Sequence, residues 1–184
     1  KLEHLDIGGG LGIAYQDESP PLPDEYVLAI RQRLEGRNLS GLMLILEPGR
    51  AIVGNAGVLL TRVEYLKKTP GHRFAVVDAA MNDLMRPALY GAKHDILPIQ
   101  KDKKKFNKKI EFVGPICEST DKFITYNNYP RLKEGRYVCF TNVGAYGRSL
   151  SSNYNVRPLA AEIAINKKSY TVIRPRQKLK DLIK

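Results

Sequence analysis

The chain offers several places where residue types and spacing can do chemistry. A strand at residues 5–7 runs into Gly8-Gly9-Gly10-Leu11-Gly12. Consecutive glycines let backbone N–H groups approach a ligand closely, a nest suited to an anion such as phosphate, or they simply make a tight turn. A second loop, Glu47-Pro48-Gly49-Arg50, follows an apolar run. Its carboxylate can hold a protonated ring nitrogen and its guanidinium can grip phosphate or carboxylate in a fork; the alternative is a Glu–Arg ion pair at a strand end. Arg86 and Tyr90 stand four apart, so a helical turn would put them on one face as a carboxylate receptor, or merely as surface packing. Cys117 and Glu118 set a thiol beside a carboxylate in the Gly114–Asp121 turn. The thiol can deliver a proton and the acid can bind an ammonium, although a free cysteine is also a common core residue. Tyr146 lies between Gly144 and Gly147, placed to reach into a cleft or to sit in a glycine-rich hairpin. His4, His72 and His94 fall in no metal-ligand spacing and read as ordinary strand or turn residues, so no metal is expected.

The elements that must carry these groups follow from hydrophobic patterning. After the glycine loop, Asp24 behind Pro23 reads as a helix cap, Val27, Ile30 and Leu34 keep helical spacing, and Gly36 is a natural stop. Residues 42–46 are apolar at every position, as in a strand of a parallel sheet covered on both faces. In such α/β units the loops after parallel strands line the ligand site, so both loops belong on one rim. Beyond residue 57 the pattern changes. Residues 58–66 and 74–78 flank Thr69-Pro70-Gly71 as a hairpin, and short strands are expected at 96–99, 110–113, 122–126, 137–143, 161–165 and 170–173, with a turn at Asn166–Ser169 and a last helical turn at 176–183. The expected division is therefore 1–57, an α/β segment, and 58–184, a β-rich domain.

Composition narrows the function classes. The 184 residues carry a formal net charge of +11, yet two short segments, 101–109 with +5 and 174–184 with +4, supply most of it. Neither interleaves aromatics as a base-stacking surface would, so no nucleic-acid partner is expected and these are read as solvated loop and tail. No apolar run approaches the ~20 residues of a membrane helix. Two cysteines cannot build a disulfide framework, which fits a reducing, cytoplasmic setting. The chain starts at Lys1 already in a strand pattern and reads as a piece of something longer.

Five stretches, LDIGGGLGI, LEPGRAIVGNAG, DAAMNDLMRPALYGAKH, GPICESTD and GAYGRSLSSNYNVRP, resemble in content and order the C-terminal portion of the diaminopimelate decarboxylases, fold-type III pyridoxal-phosphate enzymes with an alanine-racemase-like (β/α)8 barrel. GPICES and NDLMRPALYGA separate this resemblance from ornithine- and arginine-type relatives. Thr120 stands where the family usually has Gly, and Arg148 where an apolar or aromatic residue is common. The resemblance implies that residues 1–57 are the last part of the barrel and 58–184 a C-terminal β barrel or sandwich with substrate-binding and dimer-interface loops. It implies pyridoxal 5'-phosphate as cofactor, held by Gly9, Gly10, Pro48, Gly49 and Arg50, with Glu47 facing the ring nitrogen and Tyr146 touching cofactor and substrate. It implies decarboxylation of meso-2,6-diaminopimelate to L-lysine and CO2, with Cys117 returning the proton. Arg50, Arg86 and Tyr90 would hold the distal carboxylate and Glu118 the distal amine. The implied assembly is a homodimer with shared active sites, the Cys117–Glu118 segment coming from the partner subunit. The family's Schiff-base lysine lies on an early barrel strand with no counterpart among these 184 residues, so the chain alone is expected to be inactive. The 101–109 lysines fall in a variable hairpin of the family. Rival readings are a fold-III decarboxylase of another diamino acid, of carboxynorspermidine or ornithine type, or a non-catalytic homologue.

Overall fold

A computed structural model of the chain describes residues 2–100, 102, 104–106 and 108–183. Lys101 and Lys103 of the first basic segment and Lys184 of the second lie outside the described residues.

Strand β1 (His4–Asp6) pairs in parallel with β2 (Met43–Ile45) across helix α1 (Pro23–Glu35), giving the expected strand–helix–strand unit. The helix starts one residue earlier than the expected Asp24 cap. Pro23 occupies the first turn, where its missing N–H costs nothing, and the Glu25 carboxylate accepts a hydrogen bond at 2.8 Å from the Leu22 N–H. Gly36 ends the helix as expected. The apolar run at 42–46 contributes only three strand residues, and Met43 is 61% and Ile45 40% exposed, contrary to the expected cover on both faces. With only β1 beside it, no other described element lies over that strand.

The second region is one six-stranded mixed sheet. Strands β3 (Leu59–Thr69) and β4 (His72–Val77) form the expected hairpin, joined at Pro70-Gly71 where Gly71 takes φ 80°, a turn geometry that favours glycine. Strands β5 (Ile96–Pro98), β6 (Ile110–Val113), β7 (Lys122–Tyr126) and β8 (Tyr137–Phe140) complete it in the order β5-β8-β3-β4-β6-β7, with β4–β6 the parallel pair. Val63, Ala75, Val77, Ile110, Phe112, Val138 and Phe140 point to one buried face while Arg62, Glu64 and Tyr137 face out, and a register shift between Val63 and Tyr65 changes the alternation so that Leu66 is the next partly buried position of β3. The sheet curls until its two edge strands meet. The Tyr126 hydroxyl on β7 accepts the Ile96 N–H of β5 at 2.8 Å, and Phe123 of β7 packs on Phe140 of β8 with centroids 4.6 Å apart. Strand β8 ends three residues short of the expected 143 because Asn142 turns at φ 57° and Val143 N–H turns aside to bond Gly57 C=O.

A separate antiparallel hairpin, β9 (Glu162–Asn166) with β10 (Ser169–Arg174), turns at Lys167-Lys168 as expected, and the terminal helical turn shrinks to a 3-10 turn at Leu179–Asp181. Among the described residues no helix is long and apolar enough to cross a membrane.

Candidate active site

The two rim loops are welded through backbone. Ile7 N–H bonds Ile45 C=O at 3.0 Å and Glu47 N–H bonds Gly8 C=O at 2.8 Å, which continues the β1–β2 ladder into both loops. The Asp6 carboxylate accepts the Gly8 N–H at 2.7 Å, holding the turn in which Gly8 and Gly10 take φ 70° and 91°. Glycine is required at position 9 because a Cβ there would lie 2.6 Å from the Glu47 carbonyl oxygen. Among the described residues, the N–H groups of Gly9, Gly10, Gly49 and Arg50 have no backbone or side-chain partner within the chain. This is the concave donor set that an anion needs. The alternative ion pair is not formed: Glu47 is exposed and makes no salt bridge to Arg50.

Arg50 begins the short helix α2 (Arg50–Val53), and the path from there to Tyr146 depends on close backbone contact. Val143 N–H bonds Gly57 C=O at 2.9 Å and Gly144 N–H bonds Gly54 C=O at 3.1 Å. A Cβ at Gly57 would meet Gly144 at 2.5 Å, and one at Gly144 would collide with the Val53 carbonyl oxygen. Two glycines thus let the 143–147 turn lie directly on α2. The turn is a series of bends rather than a hairpin, and it holds Tyr146 in the left-handed region at φ 65°, a conformation that disfavours side chains and that the surrounding contacts must enforce. The result is a ring shared by two cations: the Arg50 guanidinium lies 5.5 Å and that of Arg86 5.8 Å from the Tyr146 centroid.

Arg86 opens helix α3 (Arg86–Tyr90) and is only 8% exposed, whereas Tyr90 at the end of that helix is 68% exposed. The expected Arg86–Tyr90 pair is absent among the described contacts. The phenols against Arg86 come instead from Tyr146 and, 71 residues earlier in the chain than Arg86, from Tyr15 at 4.7 Å. Arg86 Nη1 donates to His94 Nε2 at 3.0 Å, and His94 is 1% exposed. His94 is therefore no ordinary turn residue. Burial, with Arg86 adding to it, holds its imidazole below the usual 6.5. Only one of the five N–H groups of Arg86 finds an acceptor among the described residues. A buried guanidinium with free donors, sharing one ring with a second guanidinium, has the chemistry to accept an anion.

Cys117 and Glu118 belong to a second cluster, whose Ile116 is buried with Ala80 and Met81 and has Met85 and Ala88, the residues flanking Arg86 and Pro87, packed against it. In the Gly114–Asp121 turn the buried apolar side chain is Ile116, while Cys117 is exposed and so is not a core cysteine. Asp121, 3% exposed, pins the turn: its two carboxylate oxygens accept the N–H groups of Met81 at 2.7 Å and Ile116 at 2.8 Å. Burial pushes its carboxyl above the ordinary 3.8 despite those bonds. Glu118 accepts hydrogen bonds from Thr120 Oγ1 and, at 2.5 Å, from Tyr154 Oη, and these bonds lower its pKa. Thr120, where the family pattern has Gly, thus adds a donor to Glu118, and Arg148 bonds Ser151 Oγ at 2.7 Å. Sequence reasoning missed Tyr15, His94, Asp121 and Tyr154. It also missed Arg157, which ties Asn82 Oδ1 at 2.9 Å and Asp78 C=O at 2.5 Å to the loop before α3.

Comparison with known proteins gives the same direction over nearly the whole chain. The family described as pyridoxal-dependent decarboxylase, C-terminal sheet domain, matches residues 14–144. Diaminopimelate decarboxylase of Pseudomonas aeruginosa is 49% identical over 181 residues, 98% of this chain and 42% of that protein. Among solved structures, diaminopimelate decarboxylase from Helicobacter pylori complexed with L-lysine superimposes with a TM-score of 0.88 at 41% identity, over 98% of this chain and 44% of that one. The enzyme from M. jannaschii in co-complex with L-lysine gives 0.91 at 37% identity, over 98% of this chain and 42% of that one. The chain thus spans less than half the length of the relatives it matches.

Proposed function

The chain belongs to the pyridoxal-dependent decarboxylases, and on that premise we propose that it is part of an enzyme that converts meso-2,6-diaminopimelate to L-lysine and CO2. Buried Arg86, with unsatisfied donors beside Arg50 and Tyr146, carries this reading. A decarboxylase of a simple diamino acid needs no receptor for a second carboxylate, whereas diaminopimelate keeps one through the reaction. Leaving such a buried site unpaired is costly, so substrates lacking the distal carboxylate should be rejected by several orders of magnitude.

The donor set fits pyridoxal phosphate. The unpartnered N–H groups at Gly9, Gly10, Gly49 and Arg50 would hold its phosphate, in a cradle that a Cβ at position 9 would fill. Pro48 shapes the same loop and Glu47 would face the ring nitrogen. Bound there, the cofactor supplies an electron sink for the pair left when the bond to the departing carboxylate breaks. Arg86 with Arg50 and Tyr146 orients the substrate by its distal carboxylate, Tyr90 would join them from the exposed end of α3, and Glu118 binds the distal ammonium. The Cys117 thiol gives its proton to the α-carbon in place of CO2.

Cys117 is exposed on its turn, an exposure that suits delivery of Cys117 and Glu118 into the site of a second subunit of a homodimer. Residues 1–57 would close a (β/α)8 barrel, with 58–184 as the sheet domain, in a cytoplasmic enzyme with two free cysteines.

The test is decarboxylation by the full-length enzyme of meso-diaminopimelate against ornithine, lysine and carboxynorspermidine. Turnover confined to diaminopimelate and lost in Arg86→Ala is expected; equal turnover of ornithine overturns the reading. Mixing Cys117→Ala with Arg86→Ala subunits should restore about a quarter of wild-type activity through mixed dimers, and no recovery would refute the shared site.

A further inference from the structure

Among the described residues, His94 is the buried ionisable group, left unused by the proposed reaction, that touches a substrate-binding side chain. Its two ring nitrogens face groups of opposite character. Nδ1 lies 3.0 Å from the Thr141 carbonyl oxygen, which can only accept, so Nδ1 carries the proton. Nε2 lies 3.0 Å from Arg86 Nη1, which can only donate, so Nε2 offers its lone pair. Both contacts demand the same neutral tautomer. The Tyr15 ring then locks the arrangement, edge-on to the imidazole at 5.0 Å and 77°, and against the Arg86 guanidinium at 4.7 Å.

We infer that His94 is the positioning residue of the carboxylate receptor: a neutral, in-plane acceptor that fixes the orientation of Arg86 without neutralising it. This rests on the reading of Arg86 as the receptor for the distal carboxylate. The distinction matters chemically. An Asp or Glu at position 94 would hold the guanidinium equally well but would cancel the charge that the substrate must meet. An apolar residue would leave the charge but free the guanidinium to rotate. A neutral imidazole anchored by a backbone carbonyl does neither. Because Thr141 directly follows β8 and its N–H bonds Asp95 C=O at 2.9 Å, the imidazole is referenced to the sheet rather than to the mobile end of a side chain.

L-Lysine and cadaverine differ only by the carboxylate in question, so their relative affinity for the full-length holoenzyme, measured by competitive inhibition and by calorimetry, reads this role. Wild type should prefer L-lysine. His94→Gln, whose amide oxygen reaches the Nε2 position, should keep that preference to within about threefold. His94→Glu, of nearly the same volume, should abolish it, and His94→Asn, which keeps the bond to Thr141 but cannot reach Arg86, should reduce it about tenfold. In each case cadaverine affinity should stay near wild type. Equal behaviour of the Gln and Glu variants, or parallel loss of L-lysine and cadaverine binding, overturns the inference and leaves His94 a packing residue. If Arg86→Ala itself retains the preference for L-lysine, it is the underlying reading of Arg86 that fails instead.

Discussion

Removing the Asp121 carboxylate should unfasten the turn that carries Cys117 and Glu118. Asp121→Ala orphans two buried backbone donors, Met81 N–H and Ile116 N–H, which now bond separate carboxylate oxygens at 2.7 and 2.8 Å. Each unsatisfied buried donor costs about 1–3 kcal/mol, so the gross loss is about 2–6 kcal/mol. Part of this is offset because the variant no longer desolvates a carboxylate, the effect that raises the Asp121 pKa. A net loss of about 2–4 kcal/mol remains. Asp121→Asn keeps the shape and one acceptor but turns an NH2 toward the second donor, so it should cost about half as much. The pH dependence has a defined sign. A carboxyl raised above its ordinary 3.8 contributes stability that is present below 3.8 and lost as pH rises through its folded value, and Asp121→Asn should remove that slope. The assay is urea unfolding of the full-length holoenzyme between pH 3.5 and 8, paired with kcat for the three forms. In the proposed function this turn supplies the proton donor, so kcat should fall together with stability. A cost below about 0.5 kcal/mol for Asp121→Ala, or an unaltered kcat, would refute the assignment of Asp121 as the organiser of the turn.

The glycine contact behind Tyr146 and the buried histidine give two further expectations. Gly144→Ala drives a methyl group into the Val53 carbonyl oxygen, so the turn must lift off α2 at a cost of about 3 kcal/mol; the KM for substrate should rise as Tyr146 leaves Arg50 and Arg86, and an unchanged KM would count against this placement. His94, faced by Arg86 and by the Tyr15 ring, is held below 6.5 in the fold, so its contribution to stability is complete above pH 6.5 and is lost as pH falls through 6.5 toward its folded value; a plot of Tm against pH should lose this limb in His94→Gln.

How much of this was legible in the sequence depends on the range of the interaction involved. Helix α1, the β3–β4 hairpin and the β9–β10 turn are decided by neighbours in sequence, namely Pro23 and Gly36, Pro70-Gly71, and Asn166–Ser169. Short apolar runs bounded by turn residues marked the strands for the same reason. Where the readings missed, a distant partner had decided the outcome. Strand β8 stops early because Val143 turns to Gly57, 86 positions away, and the exposure of Met43 and Ile45 depends on which elements cover β2, which no local pattern encodes.

The candidate site divides along the same line. The loops were readable because glycine clusters are local signals, and Arg50, Arg86 and Tyr146 were each identified by residue type. Their convergence was not readable, since the ring that Arg50 and Arg86 share belongs to a residue 60 positions beyond Arg86. The i,i+4 rule paired Arg86 with Tyr90, yet within a five-residue helix one end can be buried while the other is in solvent, and the phenols that reach Arg86 come from Tyr15 and Tyr146. His94 shows the limit most clearly. A lone histidine between Lys93 and Asp95 carries no sign of its partners, and only Gly91, in the left-handed region at φ 63°, marks the reversal that carries the chain out of α3 toward it. The anchors of this site, Tyr15, His94 and Asp121, are the residues with the least sequence signal, because their roles consist entirely of what they touch.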